Sequence, residues 1–502
     1  MRGMDVRDRT AERIGRSWLS PCVGSGALVL VTALVALVLL GAGCGGTAAS
    51  TTTLFTGTTG TPVATTASTS PSTTLSPTQV RAAAETLVDD MARGDFAAVT
   101  QHFDDVMKRA LSEPALAGSW QSVVQQLGSY EKRLDSRMET SGALQVVYVT
   151  TQFALGKTVV KVVYGPAGKV SGLWFVPESA SAAYVTPAYV DVTSFTETEV
   201  TVGSGQWALP GTLTIPRGAG PFPGVVLVHG SGPNDRDETI GPNKPFRDLA
   251  QGLASKGIAV LRYEKRTKFY AEEVIGLVDT LTVKEEVVDD AAAALTVLMA
   301  RPEVDPSHVF LLGHSLGGTL APRIGQAKPD VAGLIVLAGA TRPLEDLILE
   351  QTKYLAALSG EISAADQATI KTLEAQVARV KDHALSTSVA SSDLPLGISA
   401  AYWLDLRAYK PVETARALAK PMLILQGGRD YQVTQADFEG WKTGLAGLTG
   451  VEYVLYPDLN HLFMTGTGKA TPAEYNTPAN VASQVLDSIS GWVHRLSGLP
   501  TG

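Results

Sequence analysis

The sequence predicts an α/β architecture: a mostly parallel sheet with helices on both faces and a helical insertion, preceded by a small α+β domain. Three observations predict it. From about residue 222 onward, short and almost wholly apolar runs alternate with amphipathic stretches. That is the pattern of parallel strands buried on both faces and covered by helices. One such run, Val309-Phe310-Leu311-Leu312, ends abruptly in Gly313-His314-Ser315-Leu316-Gly317-Gly318, a strand turning sharply into a helix. Upstream, residues 144–176 alternate apolar and polar side chains between glycine turns, the period of an antiparallel sheet.

At 502 residues the chain has room for about three domains. An apolar content of 45% with 18% charged residues suits a large core. The net charge of −8, with no basic stripe, argues against a nucleic-acid partner. The two cysteines, Cys22 and Cys44, both lie near the N-terminus. The rest of the chain therefore has neither an internal disulfide nor a cysteine metal site.

Residues 1–43 read as an export signal. Arg2, Arg7, Arg9, Arg13 and Arg16 precede an apolar run from Gly26 to Leu40. The segment Leu40-Gly41-Ala42-Gly43-Cys44 resembles the bacterial lipobox. That resemblance implies lipidation of Cys44 and a membrane anchor facing outside the cytoplasm. Gly41 stands where the lipobox usually has leucine, and an uncleaved membrane anchor is the alternative. Residues 44–78 are rich in Thr, Ser, Gly and Pro, and no charge occurs between Arg16 and Arg81. Such a segment cannot bury a core and reads as a disordered tether.

Residues 79–178 carry the small α+β domain. Val80, Ala84, Leu87, Val88 and Met91 fall on one helical face, and Gly94 stops that helix. A second helix is expected over residues 96–111, with Phe96, Val99, Phe103, Val106 and Leu111 inward. Strands follow at 144–154, 158–164 and 170–176. Gly94-Asp95-Phe96, Met107-Lys108 and Gly172-Leu173-Trp174-Phe175-Val176-Pro177 resemble an uncharacterised domain often found ahead of bacterial secreted hydrolases. His102 stands alone and reads as a packed or surface histidine.

Residues 184–502 carry the α/β domain. A hairpin is expected over 200–214 and strands at 222–229, 258–262, 308–313, 332–338, 421–426 and 451–456. Helices are expected at 246–256, 283–300, 319–326 and 480–496. In such sheets ligands bind beyond the C-terminal strand ends, and the chemistry-bearing residues cluster there. Ser315 sits in a Gly-X-Ser-X-Gly turn between strand and helix, which holds a serine hydroxyl outward on a strained backbone. Gly313 and Gly317 keep the turn tight, and Gly318 lets the helix approach the strand. Free N–H groups at the helix start favour a developing anion.

Together these residues resemble the α/β-hydrolase fold, from about Tyr184 to the C-terminus. The resemblance implies the order nucleophile, acid, histidine. Asp430, in Gln426-Gly427-Gly428-Arg429-Asp430, follows a late strand, and His461, in Asp458-Leu459-Asn460-His461, follows the last one. Of the seven histidines only His461 falls in the expected loop; His314 adjoins the nucleophile and is expected to point away from its hydroxyl. Asp458, three residues before His461, is expected to shape the turn instead. Ser315, Asp430 and His461 are thus expected to act as nucleophile, acid and base. The Leu316 and Ser231 N–H groups are expected to form an oxyanion hole, the latter within His229-Gly230-Ser231-Gly232. Asp235, Asp237 and Glu238 could hold a metal, but are expected to form ion pairs with Arg236 or Arg262; no metal or cofactor is needed.

Residues 341–418 interrupt the strand pattern with helical spacings at Leu344, Leu347 and Ile348 and at Ile370, Leu373, Val377 and Val380. In the family such an insertion caps the site; a peripheral elaboration is the alternative. An apolar cap would favour a small-molecule ester with an apolar moiety. The expected function is an exported serine hydrolase cleaving carboxylic esters through an acyl-enzyme. Thioesterase, acyltransferase and peptidase chemistry use the same parts. A non-catalytic envelope-binding lipoprotein is the competing class.

Overall fold

A computed structural model describes residues 76–500, apart from short stretches between 112 and 129, residues 142–143, 154–155 and 178–183, and positions 276, 278, 359 and 363. The expected export signal, Cys44 and the tether lie outside the described residues. No helix among the described residues is long and apolar enough to cross a membrane.

The N-terminal helix α1 (Pro77–Arg93) starts on a reciprocal cap. Ser76 Oγ accepts from Gln79 N, and Gln79 Oε1 accepts from Ser76 N at 2.8 Å. It ends at Gly94, whose φ of 79° is the left-handed conformation that closes helices. Where one helix is expected over residues 96–111 there are two, α2 (Phe96–Gln101) and α3 (Asp105–Ala110). The start of a strand separates them: Val170 N donates to His102 O and Asp104 N to Val170 O, both at 2.9 Å. Asp104 then caps α3. The break turns Val106 outward, against expectation, and it is 40% exposed.

Strands β1 (Tyr130–Ser141), β2 (Leu144–Phe153), β3 (Gly156–Tyr164) and β4 (Val170–Pro177) form an antiparallel sheet in that order. The core residues of α1 pack with Val147, Val149, Val160 and Val162. β1 is not legible in the sequence. It is an edge strand dense in charge, tied to α1 by Arg133, which donates to Asp89 at 2.8 and 3.0 Å.

The second sheet has eight strands: β5 (Phe195–Val202), β6 (Leu209–Pro216), β7 (Phe222–Val228), β8 (Ala259–Tyr263), β9 (Val304–His314), β10 (Gly333–Leu337), β11 (Met422–Gly427) and β12 (Val451–Tyr456). Their order is β12-β11-β10-β9-β7-β8-β6-β5. From β12 to β8 neighbours run parallel, and the β5–β6 hairpin joins antiparallel. The six apolar runs thus become the six parallel strands. β7, β8, β10 and β11 are almost wholly buried because helices cover both faces.

One face buries α4 (Pro245–Ala254) and the C-terminal helix α12 (Ser483–Leu496) against Phe310, Ile335 and Leu423. The other buries α5 (Asp289–Met299) and α6 (Leu316–Ala327) against Val226, Leu311 and Val336. The helix expected over 283–300 begins instead as a π-helical turn, Lys284–Val288. The insertion contributes α7 (Leu344–Ala356), α8 (Ala364–Lys381), α9 (Ala400–Ala408) and α10 (Pro411–Leu418). Its own small core gathers Leu373, Val380, Leu394 and Trp403. Helix α11 (Gln435–Gly444) then precedes β12.

Candidate active site

The exits of β7, β8, β9, β11 and β12 lie along one edge of this sheet. The sharpest is the β9 exit. Ser315 has φ 53° and ψ −116°, a region that residues bearing a Cβ rarely occupy. Its backbone is pinned on both sides: its N–H donates to Leu337 O at 2.8 Å, and its carbonyl accepts from Thr319 N at 2.9 Å. The two flanking glycines are there for space. A Cβ on Gly313 would lie 2.2 Å from Gly317 O, and one on Gly317 would lie 2.4 Å from Val228 O. Both obstacles are backbone. Gly317→Ala should therefore lower the unfolding free energy by ~2–3 kcal/mol in a urea titration. An unchanged midpoint would mean that the turn is not packed this way.

Asp430 and His461 meet. His461 Nδ1 lies 2.7 Å from Asp430 Oδ2, and both side chains are nearly fully buried. Asp430 is fixed by four donors. Gln432 N and Val433 N reach Oδ1 at 2.8 and 3.0 Å; Gln426 Nε2, at 3.2 Å, shares Oδ2 with His461. Asn460 shapes the histidine loop, its Oδ1 accepting from Leu462 N and Met464 N at 3.1 Å. Asn460 Nδ2 holds Glu474, which pairs with Arg429, the residue before Asp430. Asp458 is exposed, and only its backbone carbonyl takes part, accepting from Gly466 N.

The His461 loop is tied to the serine turn through His314. His314 Nε2 donates to His461 O at 3.0 Å, and the two rings are 4.7 Å apart. The Ser315 hydroxyl has no hydrogen-bond partner among the described residues. Among the described residues neither Leu316 N, at the start of α6, nor Ser231 N, in the β7 loop, donates a hydrogen bond. Gly230 brings that loop close, since a Cβ on it would lie 3.1 Å from Ser315 Cβ. Ser231 is exposed and Gly230 buried.

Part of the charged run after this loop behaves as expected. Arg262 donates to Asp237 and Glu197 at 2.9 Å, and Arg236 to Glu264 at 2.8 Å. Glu238 does not join these pairs. It is buried, with φ 51°, and its Oε1 accepts from Gly230 N at 2.7 Å. Its Oε2 faces His314 Nδ1 at 3.0 Å, off the line of a hydrogen bond. Burial alone would pull the His314 imidazole down, but Glu238 and the His461 carbonyl outweigh it and leave its pKa raised. The Glu238 carboxyl is correspondingly held low against its own burial. Nothing in the sequence announces this pair, because Glu238 turns inward only through its left-handed backbone. No group of three or more potential metal ligands occurs among the described residues.

His229 is buried between Phe246 and Tyr263, at centroid distances of 5.1 and 5.3 Å, and its Nε2 is unpartnered. Burial pushes its pKa down to about 4. The unfolded chain therefore binds more protons than the folded one between pH 4 and 6.5, and this histidine's contribution to stability is lost as pH falls through that window. Asp248 acts oppositely. Burial raises it to about 6 despite donors from Tyr184, Asn480 and Val481, so its contribution is full below about pH 4 and lost as pH rises through 6. Each is worth roughly 3 kcal/mol at ~1.4 kcal/mol per pH unit, and in the native chain they oppose. In His229→Gln, unfolding free energy measured by urea titration should fall from pH 4 to 6 more steeply than in the native chain. Parallel profiles would refute the buried neutral imidazole.

The insertion is held at two places, one of them a strand exit. From α7, Gln351 Nε2 donates to Gln432 O at 2.8 Å, and Tyr354 stacks on Tyr431, next to Asp430, at 5.0 Å. From α9, Asp405 pairs with Arg323 of α6, and Tyr402 donates to Glu286 of the π-helical turn at 2.7 Å.

Residues 225–467 match the family described as serine aminopeptidase, S33, and residues 84–173 a family described as a protein of unknown function (DUF3887). The esterase EstD of Thermotoga maritima is 40% identical over 407 residues, which span 81% of this chain and 93% of that one. Among solved structures, Est1E from Butyrivibrio proteoclasticus is 14% identical, covering 60% of this chain and 99% of that one with a TM-score of 0.40. The Pyrococcus furiosus esterase PF2001 is 17% identical, covering 62% and 99% with a TM-score of 0.39. On its 40% identity to the esterase EstD across most of both chains, and with the serine aminopeptidase match over residues 225–467, the chain belongs to the α/β-hydrolase family of serine hydrolases and esterases.

Proposed function

We propose that this serine hydrolase is exported and cleaves carboxylic esters through an acyl-enzyme on Ser315. The observation that carries the reading is the buried 2.7 Å contact between His461 and Asp430 at the same sheet edge as a strained, unpartnered serine hydroxyl. The name of the relative EstD favours an ester over other acyl compounds. Ser315 Oγ attacks the carbonyl carbon while His461 Nε2 takes its proton. The oxyanion is received by the N–H groups of Leu316 and Ser231. As the tetrahedral species collapses, the carbon–alkoxy bond breaks and the imidazolium returns the proton to the departing alcohol. Water then repeats the sequence and frees the acid. Asp430 keeps the proton on Nδ1 and stabilises the imidazolium.

The family model's description supports a second reading, peptide hydrolysis at the same serine. One panel separates them: p-nitrophenyl esters of increasing acyl length beside aminoacyl-anilides and acyl-CoA. Turnover confined to esters supports the first reading; anilide turnover of equal kcat/KM supports the second. Specific labelling of Ser315 by a fluorophosphonate, in folded protein, separates both readings from a non-catalytic binder.

The basic start, apolar run and Cys44 of residues 1–44 support export and a lipid anchor outside the cytoplasmic membrane. Expressed in a bacterial host fed radiolabelled palmitate, the full-length chain should take up label and Cys44→Ala should not. Absence of label on the native chain would leave an uncleaved apolar anchor as the explanation.

A further inference from the structure

The β7 loop is gripped from both sides by buried charge. On one side Glu238 accepts the Gly230 N–H at 2.7 Å. On the other, Lys265 Nζ donates to Gly230 O at 2.7 Å. Lys265 is itself 2% exposed and pairs with Glu286 Oε1 at 2.7 Å. Glu286 belongs to the π-helical turn Lys284–Val288, and its other oxygen accepts from Tyr402 Oη at 2.7 Å. Tyr402 lies on α9 of the insertion. A continuous buried chain thus runs from the insertion to the loop beside Ser315: Tyr402, Glu286, Lys265, Gly230 carbonyl.

The bond to that carbonyl has a directional consequence. A trans peptide unit is planar, with its C=O and N–H antiparallel. The Gly230 carbonyl shares its peptide with the Ser231 N–H. An ammonium fixed on the oxygen therefore fixes where that N–H points. It also polarises the peptide, so that the N–H becomes a stronger donor. Burial makes this costly to build and costly to break. A π-helical turn, rare in proteins and frequent at functional sites, sets Glu286 within reach of both partners.

We propose that Lys265, held by Glu286 and through it by Tyr402, is a positioning residue for the oxyanion hole, and that docking of the helical insertion is thereby coupled to the donor geometry at Ser231. This rests on the reading of Ser315 as nucleophile and Ser231 N–H as donor. Lys265 touches no reacting atom. Its effect passes through one peptide plane, so it acts where negative charge develops and leaves ground-state binding of the ester alone.

The test uses the full chain with a p-nitrophenyl ester, a trifluoromethyl ketone of matching acyl length, whose hemiketal oxyanion occupies the hole, and the corresponding secondary alcohol, which has none. Lys265→Met combined with Glu286→Gln removes the ion pair without stranding either charge. Its kcat should fall on the order of 10²-fold, as for a lost oxyanion donor, with KM little changed. The ketone's inhibition constant should rise by a similar factor and the alcohol's should not. Tyr402→Phe, which removes one hydroxyl from the far end of the chain, should lower kcat about three- to tenfold, the effect of one ordinary hydrogen bond, again at constant KM. A folded double variant with native kcat, or a fall in kcat with unaltered ketone affinity, overturns the proposal. Should the double variant not fold, Tyr402→Phe decides it, and native kcat and ketone affinity overturn it. If the native chain neither turns over the ester nor takes a fluorophosphonate on Ser315, it is the nucleophile reading that fails.

Discussion

Ser315→Ala should lose ester turnover by a factor on the order of 10⁴–10⁶ and all fluorophosphonate labelling, while unfolding at the same urea concentration as the native chain. The two outcomes have separate causes. Turnover is expected to be lost because the proposed nucleophile is gone, and His314, its neighbour in sequence, has Nε2 committed to the His461 carbonyl and Nδ1 facing Glu238. Stability is kept because the backbone conformation, φ 53° and ψ −116°, is imposed by the turn and is as uncomfortable for alanine as for serine. Glycine relieves it. Ser315→Gly should therefore be as inactive as Ser315→Ala but more stable by about 1–2 kcal/mol, the usual cost of such strain. Equal stability of the two variants would mean that the turn stores no strain. Residual turnover above 1% of native in either would remove Ser315 from its role.

How much of this could be read from the chain depended on whether a residue's position follows from a repeating pattern. The six parallel strands are continuous apolar runs because helices cover both faces, and that signal survives in a single sequence. The Gly313–Gly317 spacing is legible because backbone atoms, not side chains, exclude a Cβ at both positions. β1 was not legible: an edge strand has one solvated side, and its Glu, Lys, Arg and Asp residues obscure the alternation. Nor was the break between α2 and α3, where an apolar helical period runs on across Phe103 but β4 takes the backbone hydrogen bonds. The buried charges were hidden for a related reason. Lys265 and Glu238 sit in runs that look like solvated loops, and only tertiary partners at residues 230, 286 and 314 distinguish them from the exposed charges beside them. Sequence spacing carried the strand ends and the turn; pairing between distant charges needed coordinates.

Asp430→Asn should lower kcat on the order of 10⁴-fold at neutral pH, by analogy with other triads, and the surroundings of Asp430 explain why the variant has no escape. An amide has one accepting atom, its oxygen, and one donating atom, its nitrogen, and its orientation follows from its neighbours. Gln432 N and Val433 N both point at Oδ1, so that position must remain oxygen. The nitrogen is then forced into the place of Oδ2, against His461 Nδ1 and Gln426 Nε2. Gln426 cannot flip to receive it without abandoning its bonds to Gly427 O and Val433 O, at 3.1 and 2.8 Å. His461 must therefore accept at Nδ1, which places its proton on Nε2, where it needs a lone pair to take the serine's. The loss is one of tautomer, so it falls on kcat and on the rate of fluorophosphonate labelling alike. Asp458→Asn, at an exposed turn whose carbonyl alone is engaged, should remain within about threefold of native, since surface changes remote from such contacts are usually worth no more than ~0.5 kcal/mol. The reverse pattern, a native Asp430→Asn and an inactive Asp458→Asn, would move the acid to Asp458 and require the His461 ring to turn away from a carboxylate 2.7 Å distant.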